Sequence, residues 1–174
     1  EWLDGEDLAA RLSHARLSVR QSVIVGRRIA EALGAAHGGG VIHRDVKPEN
    51  IFLRGGQLED ATLIDFGIAR GDADVARART RTGLLLGTPG YMAPEQTRGE
   101  PFDQRIDVFA LGCVLFECLT GRPAFFAMHV VAVLAKVLLE DVPPLRELCP
   151  LAPLTLAQLI TRMLSKQREA RPPS

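Results

Sequence analysis

Val19, Val23, Ile29, Leu33 and Ala36 recur at helical spacing, and Ser18-Val19-Arg20-Gln21 just ahead of them reads as a capping box. The spacing predicts a helix that stops at Gly38-Gly39-Gly40, a run with no side chains to hold a helical turn. Short β-type pieces follow around Val41-Ile42, Ile51-Leu53 and Thr62-Ile64, with Gly55-Gly56 as the turn between the last two. Residues 68–90 are small, polar and basic with little periodicity, which predicts a long functional loop. Three further helices are predicted near 103–120, 127–139 and 154–165, separated by Gly121, Pro123, Pro143, Pro144, Pro150 and Pro153. The pattern is α+β and mainly helical, with a few short strands at one edge.

The longest apolar run, Val108 to Leu119, is interrupted by Gly112 and Glu117. It is too short for roughly 30 Å of hydrocarbon, so it reads as a buried core helix. A chain of 174 residues with 47% hydrophobic and 24% charged residues has the composition of one globular domain. Lys+Arg and Asp+Glu are equal at 21 each, so no net field favours nucleic acid or an anionic membrane. Glu1-Trp2-Leu3-Asp4 is acidic, unlike the basic start of a signal peptide. Cys113, Cys118 and Cys149 form no C-x-x-C pair and are odd in number. They read as buried reduced thiols, in keeping with a cytoplasmic compartment.

The chemistry concentrates in His43-Arg44-Asp45-Val46-Lys47-Pro48-Glu49-Asn50, followed by Asp65-Phe66-Gly67 and Ala93-Pro94-Glu95. An acid, a cation and an amide at fixed offsets suit phosphoryl transfer, which asks a protein mainly for positioning and charge stabilisation. Asp45 is placed to orient a hydroxyl and accept its proton, and Lys47 puts a cation near the transferring phosphate. Asn50 and Asp65 supply the hard oxygen ligands that Mg²⁺ prefers. Gly67 lets the backbone turn after the metal ligand.

In this order the three motifs resemble the protein-kinase signature set. By that resemblance Lys47-Pro48 marks serine/threonine rather than tyrosine specificity, and Ile68-Ala69-Arg70 with the Thr80-x-Thr82 pair resembles bacterial eukaryotic-like serine/threonine kinases in particular. The resemblance implies the fold of the kinase C-terminal lobe, with short strands at the catalytic edge. It implies ATP and Mg²⁺ as cofactors and protein substrates as partners. Thr88, in Gly87-Thr88-Pro89-Gly90-Tyr91, would bridge Asp45 and Lys47. Thr80 and Thr82 would be autophosphorylated, with the Arg44 guanidinium receiving the phosphate. Asp107 would hold the backbone around His43 and Arg44, and Glu95 with Arg171 would form an internal ion pair. Residues 1–7 resemble the hinge: the backbone of Glu1 and Leu3 would hydrogen-bond adenine, Phe52 would floor its pocket, and Asp7 would take the ribose.

The resemblance covers nearly the whole chain but only the C-lobe. No glycine-rich loop or ATP-anchoring lysine precedes the hinge, so the expected reading is a kinase domain cut at both ends, inactive alone. The competing reading is a non-catalytic binding or regulatory module. A homodimer for trans-autophosphorylation is a further candidate partner, and a membrane tether would lie outside residues 1–174.

Overall fold

The computed structural model describes residues 4–65 and 88–173. Strand β1 (Gly5–Asp7) leads into helix α1 (Leu8–His14), and helix α2 runs Val19–Gly38. Strands β2 (Ile51–Arg54) and β3 (Ala61–Leu63) follow, then α3 (Pro94–Arg98), α4 (Arg105–Thr120), α5 (Val130–Leu139), α6 (Leu145–Leu148) and α7 (Leu154–Met163). The strands form one antiparallel sheet in the order β1-β2-β3, with Asp7 opposite Phe52 and Ile51 opposite Leu63.

Helix α4 is the centre of the molecule. Ile106 to Phe116, Cys118 and Leu119 are all buried, leaving only Glu117 of that stretch part-exposed. A helix apolar on every side can be stable only when neighbours surround it. Helices α2 and α7 pack on it, and α2 also packs on β3. Gly121, in the left-handed conformation at φ 72°, closes the helix by donating its N–H to the Glu117 carbonyl at 2.7 Å. All three cysteines are buried and free, as the sequence predicts. Burial pushes the Cys118 thiol up to about 12 and the Cys113 thiol further still, so both are inert at neutral pH.

The capping box is present: Ser18 Oγ accepts from Gln21 N–H at 3.3 Å, and Gln21 Oε1 accepts from Ser18 N–H at 2.9 Å. The buried face of α2 is not the predicted one throughout. Ser22, Val25, Gly26, Ile29 and Leu33 face the core, whereas Val23 is 46% exposed. Small side chains let α4 approach here, since a Cβ on Gly26 would lie 2.7 Å from Leu115 Cδ2. Val41-Ile42 is not a strand. Val41 N–H closes on the Ala36 carbonyl at 2.9 Å, and the next backbone donors are captured by a side chain instead of a ladder. The predicted helices at 103–120, 127–139 and 154–165 appear slightly shortened, as α4, α5 and α7. Of the predicted 68–90 loop, only residues 88–90 fall among the described residues, and Pro89–Tyr91 form a 3-10 turn.

Two glycines set helix spacing and respond differently to a methyl group. At Gly112 a Cβ would lie 2.9 Å from Met163 Cβ and 3.2 Å from Leu164 Cδ2, where backbone-proximal atoms have little room to give. At Gly26 the clash is with the tip of Leu115, which can change rotamer. Gly112→Ala is expected to destabilise by about 1–3 kcal/mol. Gly26→Ala should fall well below that, because the Leu115 tip can move aside while the helix-propensity gain of about 1 kcal/mol is common to both variants. Urea midpoints of the two variants check the order; equal losses would contradict it.

Candidate active site

The catalytic-loop residues sit where α2 has ended and β2 has not begun. Asp107, in the first turn of α4, is 1% exposed and gathers this segment. Its Oδ2 accepts from His43 N–H and its Oδ1 from Arg44 N–H, both at 2.8 Å. Those bonds hold Arg44 at φ 71°, a left-handed conformation that costs a non-glycine residue on the order of 1 kcal/mol or more. The Arg44 guanidinium lies over the Phe102 ring, 5.6 Å from its centroid.

His43 relays this anchoring to both ends of the site. Its Nε2 donates to the Ile64 carbonyl at 3.0 Å, and its Nδ1 faces Asp45 N–H at 3.3 Å. That pair of contacts fits the neutral ring, with the proton on Nε2. Burial lowers the His43 pKa, with the Ile64 carbonyl and nearby carboxylates opposing.

Asp45, Lys47 and Asn50 converge. Lys47 Nζ lies 2.9 Å from Asp45 Oδ2, with the two side chains 20% and 26% exposed. Asn50 Nδ2 donates to the Asp45 carbonyl at 2.8 Å and to Asp45 Oδ2 at 3.1 Å. Pro48 at the first position of the 3-10 turn Pro48–Asn50 pre-sets this geometry, and Asn50 N–H donates to the Lys47 carbonyl at 3.0 Å. Ile64 N–H donates to the Asn50 carbonyl at 2.9 Å, which ties Asp65 to the same cluster. Asp65 is exposed and also left-handed, at φ 55°. With the Asn50 amide nitrogen spent on Asp45, its Oδ1 and the Asp65 carboxylate make an all-oxygen donor pair. That donor set fits Mg²⁺, which keeps water and phosphate oxygens in its remaining positions. Among the described residues no three His, Cys, Asp or Glu side chains cluster as a metal site.

The other predicted residues fall as follows. Glu95 and Arg171 form a buried bidentate pair, Nη1 to Oε1 at 2.6 Å and Nη2 to Oε2 at 2.9 Å. The Arg171 guanidinium also lies over Phe109, 5.0 Å from the ring centroid. Asp7 is the N-cap of α1, accepting from Ala10 N–H at 2.7 Å. Phe52 is half-buried on the face of β2 opposite Ile51 and Leu53. Thr88 precedes the 3-10 turn Pro89–Tyr91, its carbonyl accepting from Tyr91 N–H at 3.0 Å. Glu1, Leu3, Thr80 and Thr82 lie outside the described residues, as do Phe66, Gly67 and Arg70.

Two partnerships were not anticipated from sequence. Tyr91 Oη donates to Glu117 Oε2 at 2.5 Å, tying the 3-10 turn to α4, and burial raises the pKa of both groups. The lone acid inside the apolar run of α4 is the signal that pointed there. His37 Nε2 lies 2.8 Å from Asp107 Oδ2, and its place one turn beyond Leu33 on the row Ile29, Leu33 was the available clue. A cavity of about 440 Å³ beside the Glu95–Arg171 pair, lined in part by Arg98, Glu100 and Lys166, includes none of the catalytic-loop residues.

Residues 1–174 match the protein kinase domain model, and the chain belongs to the protein kinase family. Within it the resemblance is to bacterial members. The chain is 43% identical over 166 residues to serine/threonine-protein kinase PknD of Mycobacterium tuberculosis, covering 94% of this chain and 24% of that protein. It is 40% identical over 173 residues to serine/threonine-protein kinase Pkn1 of Myxococcus xanthus, covering 98% and 25%. Against serine/threonine-protein kinase PknB of Mycolicibacterium smegmatis it is 38% identical over 173 residues, covering 98% and 27%. The chain thus spans about a quarter of the length of these curated relatives. No helix among the described residues is long and apolar enough to cross a membrane.

The buried neutral His43 gives the site a pH dependence. Because its folded pKa lies below the ordinary 6.5, the unfolded chain takes up this proton first as pH falls. Its stabilising contribution is therefore full above about 6.5 and is lost as pH falls through the folded pKa. Protonation also removes the Nδ1 acceptor facing Asp45 N–H. Urea midpoints should fall from neutral pH toward pH 5 more steeply in the wild type than in His43→Gln. Parallel profiles would contradict this assignment.

Proposed function

We propose that the protein transfers the γ-phosphoryl group of ATP to serine or threonine hydroxyls of protein substrates. The observation that carries the reading is the contact of Lys47 Nζ with Asp45 Oδ2 at 2.9 Å, while Asn50 braces the Asp45 carbonyl and carboxylate. In this reading Asp45 orients the substrate hydroxyl and accepts its proton as the oxygen attacks phosphorus. Lys47 lies beside that carboxylate, where its charge offsets the negative charge of the transferring group. Asn50 and Asp65 would hold Mg²⁺, which supplies charge neutralisation at the phosphates when bound.

The softer assignments complete the picture. Thr88 would bridge Asp45 and Lys47 on the substrate side. Backbone groups of Glu1 and Leu3 would meet adenine, Phe52 would floor the pocket, and Asp7 would meet the ribose. Thr80 and Thr82 would carry regulatory phosphate, with Arg44 as its receiver. Residues 1–174 would be inactive alone, because they hold neither a phosphate-covering loop nor an ATP-anchoring lysine. The relatives named as serine/threonine kinases support the substrate class.

Two variants of the full-length protein test the roles. Asp45→Asn should lower kcat about a hundredfold or more with little change in ATP affinity, since the lost group acts on the hydroxyl. Asp65→Asn should weaken both turnover and Mg²⁺-dependent nucleotide binding. Radiolabel transfer and nucleotide titration read the two effects; unimpaired turnover in either variant would rule out its role.

A further inference from the structure

We propose that Arg16, Arg122 and Arg146 form a docking surface for an acidic segment of the protein substrate, apart from the residue that is phosphorylated. The proposal rests on the reading of the protein as a kinase acting on protein hydroxyls. The chain is neutral overall, with 21 Lys+Arg against 21 Asp+Glu, yet its charges are unevenly placed. Between Asp7 and Glu31 it has five arginines and no carboxylate. Arg11 is paired with Glu6, and Arg27 and Arg28 with Glu31. Arg16 is exposed and has no ion pair among the described residues, and the same holds for Arg122 and Arg146.

Tertiary packing gathers these cations from three separate segments. Leu17 N–H donates to the Cys118 carbonyl at 2.8 Å, which lays the α1–α2 connection along the end of α4. A Cβ on Gly121 would lie 3.4 Å from Arg16 Cβ, so Arg16 borders the Gly121-Arg122 turn. On its other side Arg16 Nη1 donates to the Leu148 carbonyl at 3.5 Å, at the end of α6, the helix that carries Arg146. Like charges gathered at the surface without counter-ions favour an anionic partner and raise its rate of encounter. Glu147 is the carboxylate on the same short helix, and it forms no ion pair among the described residues.

The position of the cluster selects the occupant. Tyr91 Oη contacts Glu117, which precedes Gly121 by one helical turn of about 5.4 Å. A Cβ on Gly90 would lie 3.1 Å from the Phe125 carbonyl, so the Pro89–Tyr91 turn also packs on the segment after Arg122. That turn follows Thr88, on the side where a substrate hydroxyl would approach Asp45. The arginines therefore continue the substrate side of the cleft, within the reach of a few residues of extended chain at about 3.3 Å each. Leu151, three residues beyond Leu148 and 88% exposed, makes an anionic membrane the competing occupant. A bilayer against this surface would obstruct the path of the substrate, which favours the acidic segment.

The test uses the full-length protein with a threonine peptide free of acidic residues. The same peptide also carries a tetraglutamate tract, joined on either side through spacers of about two to eight residues. At the best spacing the tract should lower KM about five- to tenfold, the combined effect of a few exposed ion pairs, with kcat within about twofold. The advantage should shrink as salt rises from about 0.02 to about 0.3 M, because exposed charges are screened. Arg16→Glu, Arg122→Glu and Arg146→Glu together should abolish the advantage and favour a tetralysine tract instead. Arg27→Glu, on the exposed side of α2, should keep the preference for glutamate. If the triple glutamate variant does not fold, the triple glutamine variant replaces it and should lose the advantage. Equal KM for both peptides at every spacing, or an advantage that survives in the triple variant, would overturn the proposal. Equal KM together with sedimentation on anionic phosphatidylglycerol vesicles that the triple variant loses would assign the surface to a membrane instead. Fluorescence anisotropy with the threonine replaced by valine reads docking without chemistry. Tract-dependent binding there, in a protein that transfers no phosphate, would keep the docking surface and sink the kinase reading.

Discussion

The carboxylate of Asp107 is the constraint on which the site depends. It is buried in the first turn of the core helix, where an unpaired charge would be prohibitive, and it meets two backbone donors of the catalytic segment and His37 of α2. The core and the chemistry are thereby joined at one residue. Helix α4 must sit where α2 and α7 place it for the carboxylate to reach His43 and Arg44. Arg44 in turn adopts a backbone conformation that it would not hold unaided. Strain at a functional loop is here offset by charge-assisted hydrogen bonds from the scaffold.

A second buried ionic contact lies near the same end of α4, where Arg171 Nη1 also donates to the Arg105 carbonyl at 3.3 Å. Glu95 follows directly on Ala93-Pro94, and Arg171 lies near the end of the described residues, so their bidentate pair joins segments remote in sequence. Such a pair contributes little net stability compared with apolar packing, yet removing one partner leaves the other charge buried. Tyr91 and Glu117 add a third link, from the 3-10 turn after Thr88 to α4. Two of the three links meet the first turn of α4, at Asp107 and at the Arg105 carbonyl that accepts from Arg171 Nη1, and the third meets Glu117. The helix with the least amphipathic character thus organises the polar chemistry around it.

Much of this was legible in the sequence because the relevant signals are local. The capping box at Ser18 and the buried apolar run of α4 appear as read, and the short spacing of Asp45, Lys47 and Asn50 brings the three side chains into contact. What was missed depends on contacts between remote segments. Val41-Ile42 has strand composition, but the donors that would extend a ladder go to Asp107 and to the end of α2. Val23 is apolar and correctly spaced, yet Ser22 and Gly26 make the closer surface for Leu115. His37 looks like an ordinary helix-end residue until Asp107 is placed beside it.

Asp107, a side chain outside the catalytic loop, sets that loop's geometry. Asp107→Asn in the full-length protein tests it most directly, since the isosteric amide turns one acceptor into a donor facing an N–H or the imidazole. Phosphate transfer should fall by about two orders of magnitude or more while circular dichroism shows the helices intact. Turnover at the wild-type rate in the folded variant would contradict it.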